Sequence, residues 1–541
     1  MRVKELELDQ VVGGSQLPII AQAMDESQTI ENETRDDRPQ WLYTGRAVRA
    51  MDAWAIANLG VSGLRLMRRA AQACVQTIED RWPEAHHIAV FCGKGNNAGD
   101  GYLIAGILAE AGFSVTAFEV SPPDQLVGDA RSAYEFCDQT GCVRTQGYGV
   151  SEEHQWFDLV VDALLGTGLN GHLRDDYQAA VDHINALSRP VLAVDLPTGL
   201  CADSGRQLGR SVKATVTVTF IGRKRGLFTG DGPDCSGDVI FDDLGVPADV
   251  DQHLGEDITR DPGYRVSRLS LSFLMGRFPD RARNSHKYTF GHVLVIGGNE
   301  GMSGAILMTA EAALRSGAGL VSVATHPSHA SALVTRRPEL MCRGIETDAD
   351  LEPMLDAASV VAIGPGLGKN EWAVQRHTRA LDHCRSTGKP MVIDADGLNL
   401  LRRHERVEES WILTPHPGEA ERLRPGSRQE DRFESVRQIQ EQFGGHVLLK
   451  GAGTTIYDDD GLALCPYGNP GMSVAGMGDV LTGVIASMCA QGLGSATAIR
   501  LGVCLHARAG DVVAQHEGPR GMFATDLLPV LRRLVNHIDV R

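Results

Sequence analysis

The sequence predicts an α/β protein of two domains, an N-terminal doubly wound parallel sheet followed by a second α/β unit of different fold. Three observations carry this. Apolar runs of strand length alternate with segments whose apolar residues recur at helical spacing, as parallel sheets with helical crossovers require. Several of those runs open directly into glycine-rich loops, the place where such sheets hold ligands. The chain of 541 residues is also longer than one hydrophobic core supports.

Taken in order, residues 1–40 are polar, acidic toward their end and without periodicity, and read as a flexible extension. The first domain is expected over 41–250, with helical spacing at 48–80, a helix at 102–111 and strands at 88–92, 114–120, 159–164, 191–195 and 214–220. Residues 251–268 read as the link, because Asp, Gly and Pro displace the strand pattern. The second domain, 269–541, resumes with strands at 292–296, 320–324, 360–363, 391–394 and 446–450. Its helices are expected at 305–315, near 372–385 and near 431–443, then a hairpin at 454–465, a glycine loop and a helix at 480–489.

Composition narrows the function. A formal charge of −17 argues against a nucleic-acid track or an anionic membrane surface as partner. Eleven cysteines, without a C-x-x-C pair or zinc spacing, fit a reduced compartment. With no apolar run of membrane length and no leader pattern, a cytoplasmic location is expected, and a homo-oligomer with small-molecule partners.

In the first half, Gly93-Lys94-Gly95-Asn96-Asn97-Ala98-Gly99-Asp100-Gly101 follows a strand and matches a relaxed dinucleotide fingerprint. Glu119 closes the next strand where a ribose-binding acid would stand. Yet Asn96, Asn97 and Asp100 are polar where the fingerprint needs turn and packing residues. They suit hydrogen bonds or a hard cation instead. Two more strand ends carry Asp162-Ala163-Leu164-Leu165-Gly166-Thr167-Gly168-Leu169-Asn170-Gly171-His172 and Asp195-Leu196-Pro197-Thr198-Gly199, with Thr219, Phe220, Lys224, Gly226 and Leu227 behind them.

Together these segments resemble the NAD(P)H-hydrate epimerase family over about 41–245. The resemblance implies a K+ ion on Asn97, Asp162 and Thr198. It places the hydrated nicotinamide nucleotides NADHX and NADPHX against Asn96, Asn97, Ala98, Gly99, Asp100, Gly166, Thr167, Gly168, Leu169, Asn170, Gly171, His172 and Asp195. Epimerisation needs reversible opening at the hydroxylated carbon next to the ring nitrogen, so Asp195 is the first acid/base candidate and Lys224 the second.

In the second half, Gly297-Gly298-Asn299-Glu300-Gly301-Met302-Ser303-Gly304 lies between strand and helix but lacks the Gly-Lys-Ser/Thr ending of a P-loop. The segment 469–483 places Gly476, Gly478 and Asp479 where a loop turns into an apolar helix, which suits a polyphosphate beside a general base. Lys450 ends a buried strand, where a charge without an anion is costly, so a phosphate partner is expected. The position of Asp479 at a helix start predicts a depressed pKa.

With Asp394-Ala395-Asp396-Gly397-Leu398-Asn399, Thr414-Pro415-His416-Pro417-Gly418-Glu419 and Lys450-Gly451-Ala452-Gly453-Thr454, this half is similar to ribokinase-like kinases and, within them, to ADP-dependent NAD(P)H-hydrate dehydratase. The resemblance implies a ribokinase-like α/β domain in which Lys450, Gly451, Ala452, Gly453, Thr454 and Gly478 hold ADP or ATP. It implies that Ala305, Gly366, His416 and Asp479 face the hydrate, Asp479 as base, and that Glu419 orders Mg2+ through water. The expected function is repair: epimerising the R and S hydrates and dehydrating the S form at the expense of ADP. The alternative is a small-molecule kinase fused to a nicotinamide-nucleotide-binding dehydrogenase.

Overall fold

The computed structural model describes residues 40–147, 156–169, 171–402, 405–427 and 431–538. The expected extension, save for Gln40, lies outside the described residues. In chain order the strands are β1 (Gln40–Tyr43), β2 (His87–Cys92), β3 (Ser114–Glu119), β4 (Val143–Gln146), β5 (Leu159–Ala163), β6 (Val191–Val194), β7 (Val216–Phe220), β8 (Arg223–Lys224), β9 (Asp238–Asp242) and β10 (Arg265–Arg268). They continue with β11 (His292–Ile296), β12 (Leu320–Thr325), β13 (Met341–Gly344), β14 (Val360–Ile363), β15 (Met391–Ile393), β16 (Ile412–Leu413), β17 (His446–Leu449), β18 (Thr454–Asp458) and β19 (Gly461–Cys465). Helices named below are α1 (Gly45–Asn58), α2 (Gly63–Arg81), α3 (Asn96–Glu110), α4 (Asp175–Ala186), α5 (Ser303–Arg315), α6 (Arg432–Phe443), α7 (Met477–Ala490) and α8 (Ser495–Glu517).

The N-terminal sheet runs β4-β3-β2-β5-β6-β7-β9 with every pairing parallel. Its strands are apolar on both faces because helices cover both. Ile88, Val90 and Cys92 of β2 join one core with α2 and α3, while Ala89 and Phe91 join another with Tyr177 and Ile184 of α4.

The second sheet runs β13-β12-β11-β14-β15-β16-β17-β18-β19-β10-β1-β8. From β13 to β17 it is parallel, and the antiparallel β17-β18-β19 segment contains the expected hairpin. Helix α7 is apolar nearly all round and packs between α5, α8 and the sheet, as such a pattern demands.

Beyond β19 the sheet is extended by strands from earlier in the chain. β10 adds parallel to β19, β1 antiparallel to β10, and β8 parallel to β1, pairing Tyr43 with Lys224. The two halves therefore share one sheet. Residues 251–268, read as a link, include part of a 3-10 turn at Val250–His253, a short helix at Glu256–Thr259 and β10 itself. Leu42 and Val266 are fully buried with Leu464 in the C-terminal core.

Two local expectations change. Helix α3 starts at Asn96 rather than at 102, so the polar motif is the first turns of a helix and not a loop. The strands β1, β4, β8, β9, β10, β13 and β16 were not foreseen: β8 and β16 have two residues each, β4 and β13 are sheet-edge strands with polar composition, and β1, β9 and β10 are short and mix polar with apolar residues. All eleven cysteines are free thiols, most of them buried. Among the described residues no helix is long and apolar enough to cross a membrane.

Candidate active sites

The carboxyl ends of β2, β5, β6 and β7 lie side by side, and each delivers part of the first predicted site. Gly95 is the extended N-cap of α3 and no side chain caps that helix, so its first amides face the site unshielded. Gly166, after β5, touches two other strand ends: a Cβ there would lie 3.3 Å from Asn97 Oδ1 and 3.4 Å from Asp195 Oδ2. Asn96–Asp100, Gly166 and Asp195 are thus brought together. Thr167, Gly168 and Leu169 follow along the same loop, with Gly171 and His172 exposed at its far end and Asn170 outside the described residues.

Asp162 and Thr198 form a fully buried pair. Thr198 N donates to Asp162 Oδ2 at 2.8 Å and Thr198 Oγ1 to Oδ1 at 2.8 Å, while Leu164 N donates to Oδ1 at 3.2 Å. Burial still wins over these bonds and lifts the Asp162 carboxyl to about 6. Among the described residues no cationic side chain pairs with it. Asn97 is buried nearby on α3, and its amide nitrogen has no hydrogen-bond partner among the described residues.

Asp195 occupies a left-handed backbone conformation, φ +68°, rare for a residue with a side chain. Its carboxylate accepts a bond from the buried Lys224 ammonium. Lys224 Nζ also donates to Thr219 Oγ1 at 3.1 Å and Phe220 O at 3.0 Å. The two predicted acid/base candidates are therefore one unit. Burial, then the neighbouring Asp195 and Asp52, push Asp100 well above the ordinary carboxylate range. Asp52 is raised in the same way, by burial and then Asp195.

Asp52 and Arg49, both on α1, were missed by sequence reasoning. Arg49 donates to Thr167 O at 2.6 Å, which ties α1 to the loop that follows β5. The available signal was an acid one residue from the buried Met51 on an otherwise amphipathic helix.

In the C-terminal half, β11, β14, β15, β16 and β17 are consecutive neighbours whose carboxyl ends carry the motifs. Asp394 follows β15, His416 and Glu419 follow β16, and Lys450 follows β17. Lys450 Nζ donates to Asp394 Oδ1 at 2.7 Å and lies 3.7 Å from Glu419 Oε2. Thr482 of α7 donates to the other Asp394 oxygen at 2.8 Å. This corrects the expectation that Lys450 lacks an internal anion. Burial opposes its charge, but Asp394 and Glu419 outweigh burial and hold its pKa above the usual lysine value.

The start of α7 completes the group. Gly478 lets the lysine come close: a Cβ there would lie 3.2 Å from Lys450 Nζ, so the ammonium would have to give by a few tenths of an ångström. Asp479 beside it is raised to about 7, by burial first and then by Asp394 and Glu419, with Lys450 opposing. The expected depression by the helix start is overturned, because helix-dipole stabilisation is smaller than desolvation next to two carboxylates.

His416 caps the helix Pro417–Leu423: its Nδ1 accepts from Gly418 N at 2.9 Å, and Glu419 Oε2 accepts from His416 N at 2.8 Å. The His416 ring is half-exposed, and the partial burial of its site lowers its pKa, with Glu419 opposing. Gly366 and Ala305 are adjacent, a Cβ on the glycine falling 3.3 Å from the Ala305 Cβ. The backbone amides of Gly451, Ala452 and Gly453 donate to no acceptor among the described residues.

An acid–lysine cluster at the strand ends of each half defines a two-site α/β enzyme. The family model described as NAD(P)H-hydrate dehydratase matches residues 293–533, and the one described as YjeF-related protein N-terminus matches 63–226. A bifunctional NAD(P)H-hydrate repair enzyme Nnr of Coxiella burnetii is 44% identical over 92% of this chain and 99% of its own. Proteins of that name from Vibrio cholerae and Escherichia coli are 38% and 39% identical, each over 92% of this chain and over 99% and 94% of their own. The chain belongs to the family of bifunctional NAD(P)H-hydrate repair enzymes.

Proposed function

We propose that the N-terminal site interconverts the R and S forms of NADHX and NADPHX and that the C-terminal site dehydrates the S form using ADP. The observation that carries this reading is the presence, on one chain, of two lysine-bearing acid clusters at the carboxyl ends of parallel strands, each within the reach of its matching family model.

In the first site Asp195 takes the proton of the substrate hydroxyl as the bond from the hydroxylated carbon to the ring nitrogen opens and gives it back when the ring closes on the opposite face, and Lys224 holds the carboxylate in place. Burial and then the neighbouring Asp195 raise the pKa of both Asp52 and Asp100, so each holds a proton more readily than an ordinary carboxylate. Loop 166–172 and the first turn of α3 bind the dinucleotide. Asn97, Asp162 and Thr198 fit K+: their donor set is hard oxygen, a buried carboxylate lacks a cationic partner among the described residues, and the amide nitrogen of Asn97 has no hydrogen bond there to fix the orientation of the group. The ion supplies a fixed positive charge when bound.

In the second site Asp479 takes the proton from the hydrate's hydroxyl as the alcohol is phosphorylated and made a leaving group. Its pKa of about 7 suits a base at neutral pH better than an ordinary carboxylate. Lys450, oriented by Asp394, neutralises developing phosphate charge, and amides 451–454 with Gly478 bind the nucleotide. Ala305, Gly366 and His416 line the hydrate's side. Glu419 fits water-mediated contact with Mg2+, one oxygen being committed to the His416 amide. Mg2+ supplies charge neutralisation of the polyphosphate when bound.

Supplying the purified chain with mixed R and S hydrate tests the reading. Full return of dihydronicotinamide absorbance, with equimolar phosphate release and faster turnover on ADP than ATP, is expected. Hydride transfer or a stable phosphorylated product would establish the dehydrogenase–kinase alternative.

A further inference from the structure

We propose that Thr229, a residue of the N-terminal half, is a positioning residue for the nucleotide of the C-terminal site. The inference rests on reading 450–454 as the nucleotide loop. Thr229 closes the short path that starts at Lys224: β8 ends there, a 3-10 turn occupies Arg225–Phe228, and Thr229 follows.

Thr229 is fully buried, and its hydroxyl faces the nucleotide loop. Its Oγ1 lies 3.3 Å from Ala452 O and 3.2 Å from Gly453 O, donating between them. Gly230 N donates to Ala452 O as well, at 3.3 Å. The fit is close: a Cβ on Gly453, whose φ is +59°, would fall 2.1 Å from Phe228 O.

The Ala452 carbonyl and the Gly453 N–H belong to one planar trans peptide, so they point in opposite directions. Holding the carbonyl against the N-terminal half turns the Gly453 N–H away from it. Among the described residues that N–H has no acceptor, which leaves it for an oxygen of the nucleotide. The loop is braced from a second side by Arg432, whose guanidinium donates to Leu449 O at 3.0 Å and Lys450 O at 3.3 Å. Arg225 ties the two braces together, donating to Asp431 Oδ2 at 2.6 Å and covering the Phe433 ring at 4.6 Å.

Without the Thr229 donor the Gly230 N–H, at 3.3 Å, is the remaining tie on the Ala452 carbonyl, the Ala452–Gly453 peptide is held more loosely, and nucleotide binding must then order it. The phosphorylation chemistry at Lys450 and Asp479 is left in place. The signature is a weaker nucleotide with an unchanged hydrate site.

The experiment titrates ADP and ATP calorimetrically into the full chain as wild type, Thr229→Val and Thr229→Ser, with steady-state kinetics alongside. Thr229→Val is expected to weaken nucleotide binding about three- to tenfold, the worth of one hydrogen bond, and Thr229→Ser to restore it. The nucleotide KM should rise in step while kcat, the hydrate KM and the epimerase rate hold. Unchanged affinity in Thr229→Val, or equal losses in nucleotide, hydrate and epimerase parameters, overturns the proposal. If Thr229→Val does not fold, Thr229→Ala is judged by the same outcomes. A wild-type chain that binds neither nucleotide overturns the reading of the loop itself, and this inference with it.

Discussion

Lys450 and Asp394 stand at the ends of two strands separated in the sheet by β16, and their 2.7 Å bond spans that intervening strand end. The lysine is thereby aimed at Gly478 while its partner is fixed by Thr482. Removing the carboxylate leaves a largely buried cation with Glu419 as its remaining close anion. Asp394→Ala is expected to cost about 3 kcal/mol in urea unfolding and to abolish dehydration, with the epimerase rate kept. Stability within measurement error of wild type would show that the pair is replaceable.

Asp479 sets the pH response of dehydration. As a base it works ionised, so the rate should rise with pH through a midpoint near the about 7 at which it titrates. The Asp479→Asn variant should lose the activity at every pH. A flat wild-type profile between about pH 5.5 and 8 would remove Asp479 from this role.

The same group predicts a stability effect of definite sign. Its folded pKa lies above the ordinary carboxylate value, so the folded chain holds this proton more tightly than the unfolded chain. That contribution is complete below the unfolded pKa and is lost as pH rises through about 7. Asp479→Asn should therefore gain on wild type as pH rises, by about 1 kcal/mol between about pH 4 and 8 after allowance for solvent screening. Thermal melts of both proteins at the two pH values check it.

For the first site, Asp195→Ala should lower the epimerase rate by about a hundredfold or more and leave dehydration of pure S hydrate unchanged. Chiral separation of the two hydrates over time measures the one activity, and absorbance recovery the other.

Gly453→Ala tests the shared boundary. The added carbon meets the Phe228 carbonyl and demands a left-handed backbone from alanine, at an expected cost of about 2 kcal/mol. The loss should appear as weaker nucleotide binding and faster hydrogen exchange at residues on both sides of the contact.

Much of both sites was legible because strand-end chemistry is local. Asp162, Asp195 and Thr198 follow short apolar runs, and parallel neighbours must bring such ends to one edge. The same logic placed Asp394, His416 and Lys450. Asp52 offered only a faint signal, an acid beside an apolar position: it lies on a helix before the first sheet, and nothing in its neighbours along the chain indicates that α1 is tied to Thr167. The Lys450 partner was also hidden, because Asp394 lies far away in sequence.

By itself, then, the sequence determined the two α/β units, the order of their strands' polar ends and the residues that meet there, since periodicity and glycine placement act over a few residues. Tertiary structure alone decided the raised pKa of Asp479, which desolvation and two carboxylates distant in sequence set against the local pull of its helix. It also decided that β1, β8 and β10 complete the C-terminal sheet and that Thr229 holds the Ala452–Gly453 peptide. Strand pairing and buried hydrogen bonds depend on which surfaces exclude water together, and no short stretch of chain carries that information.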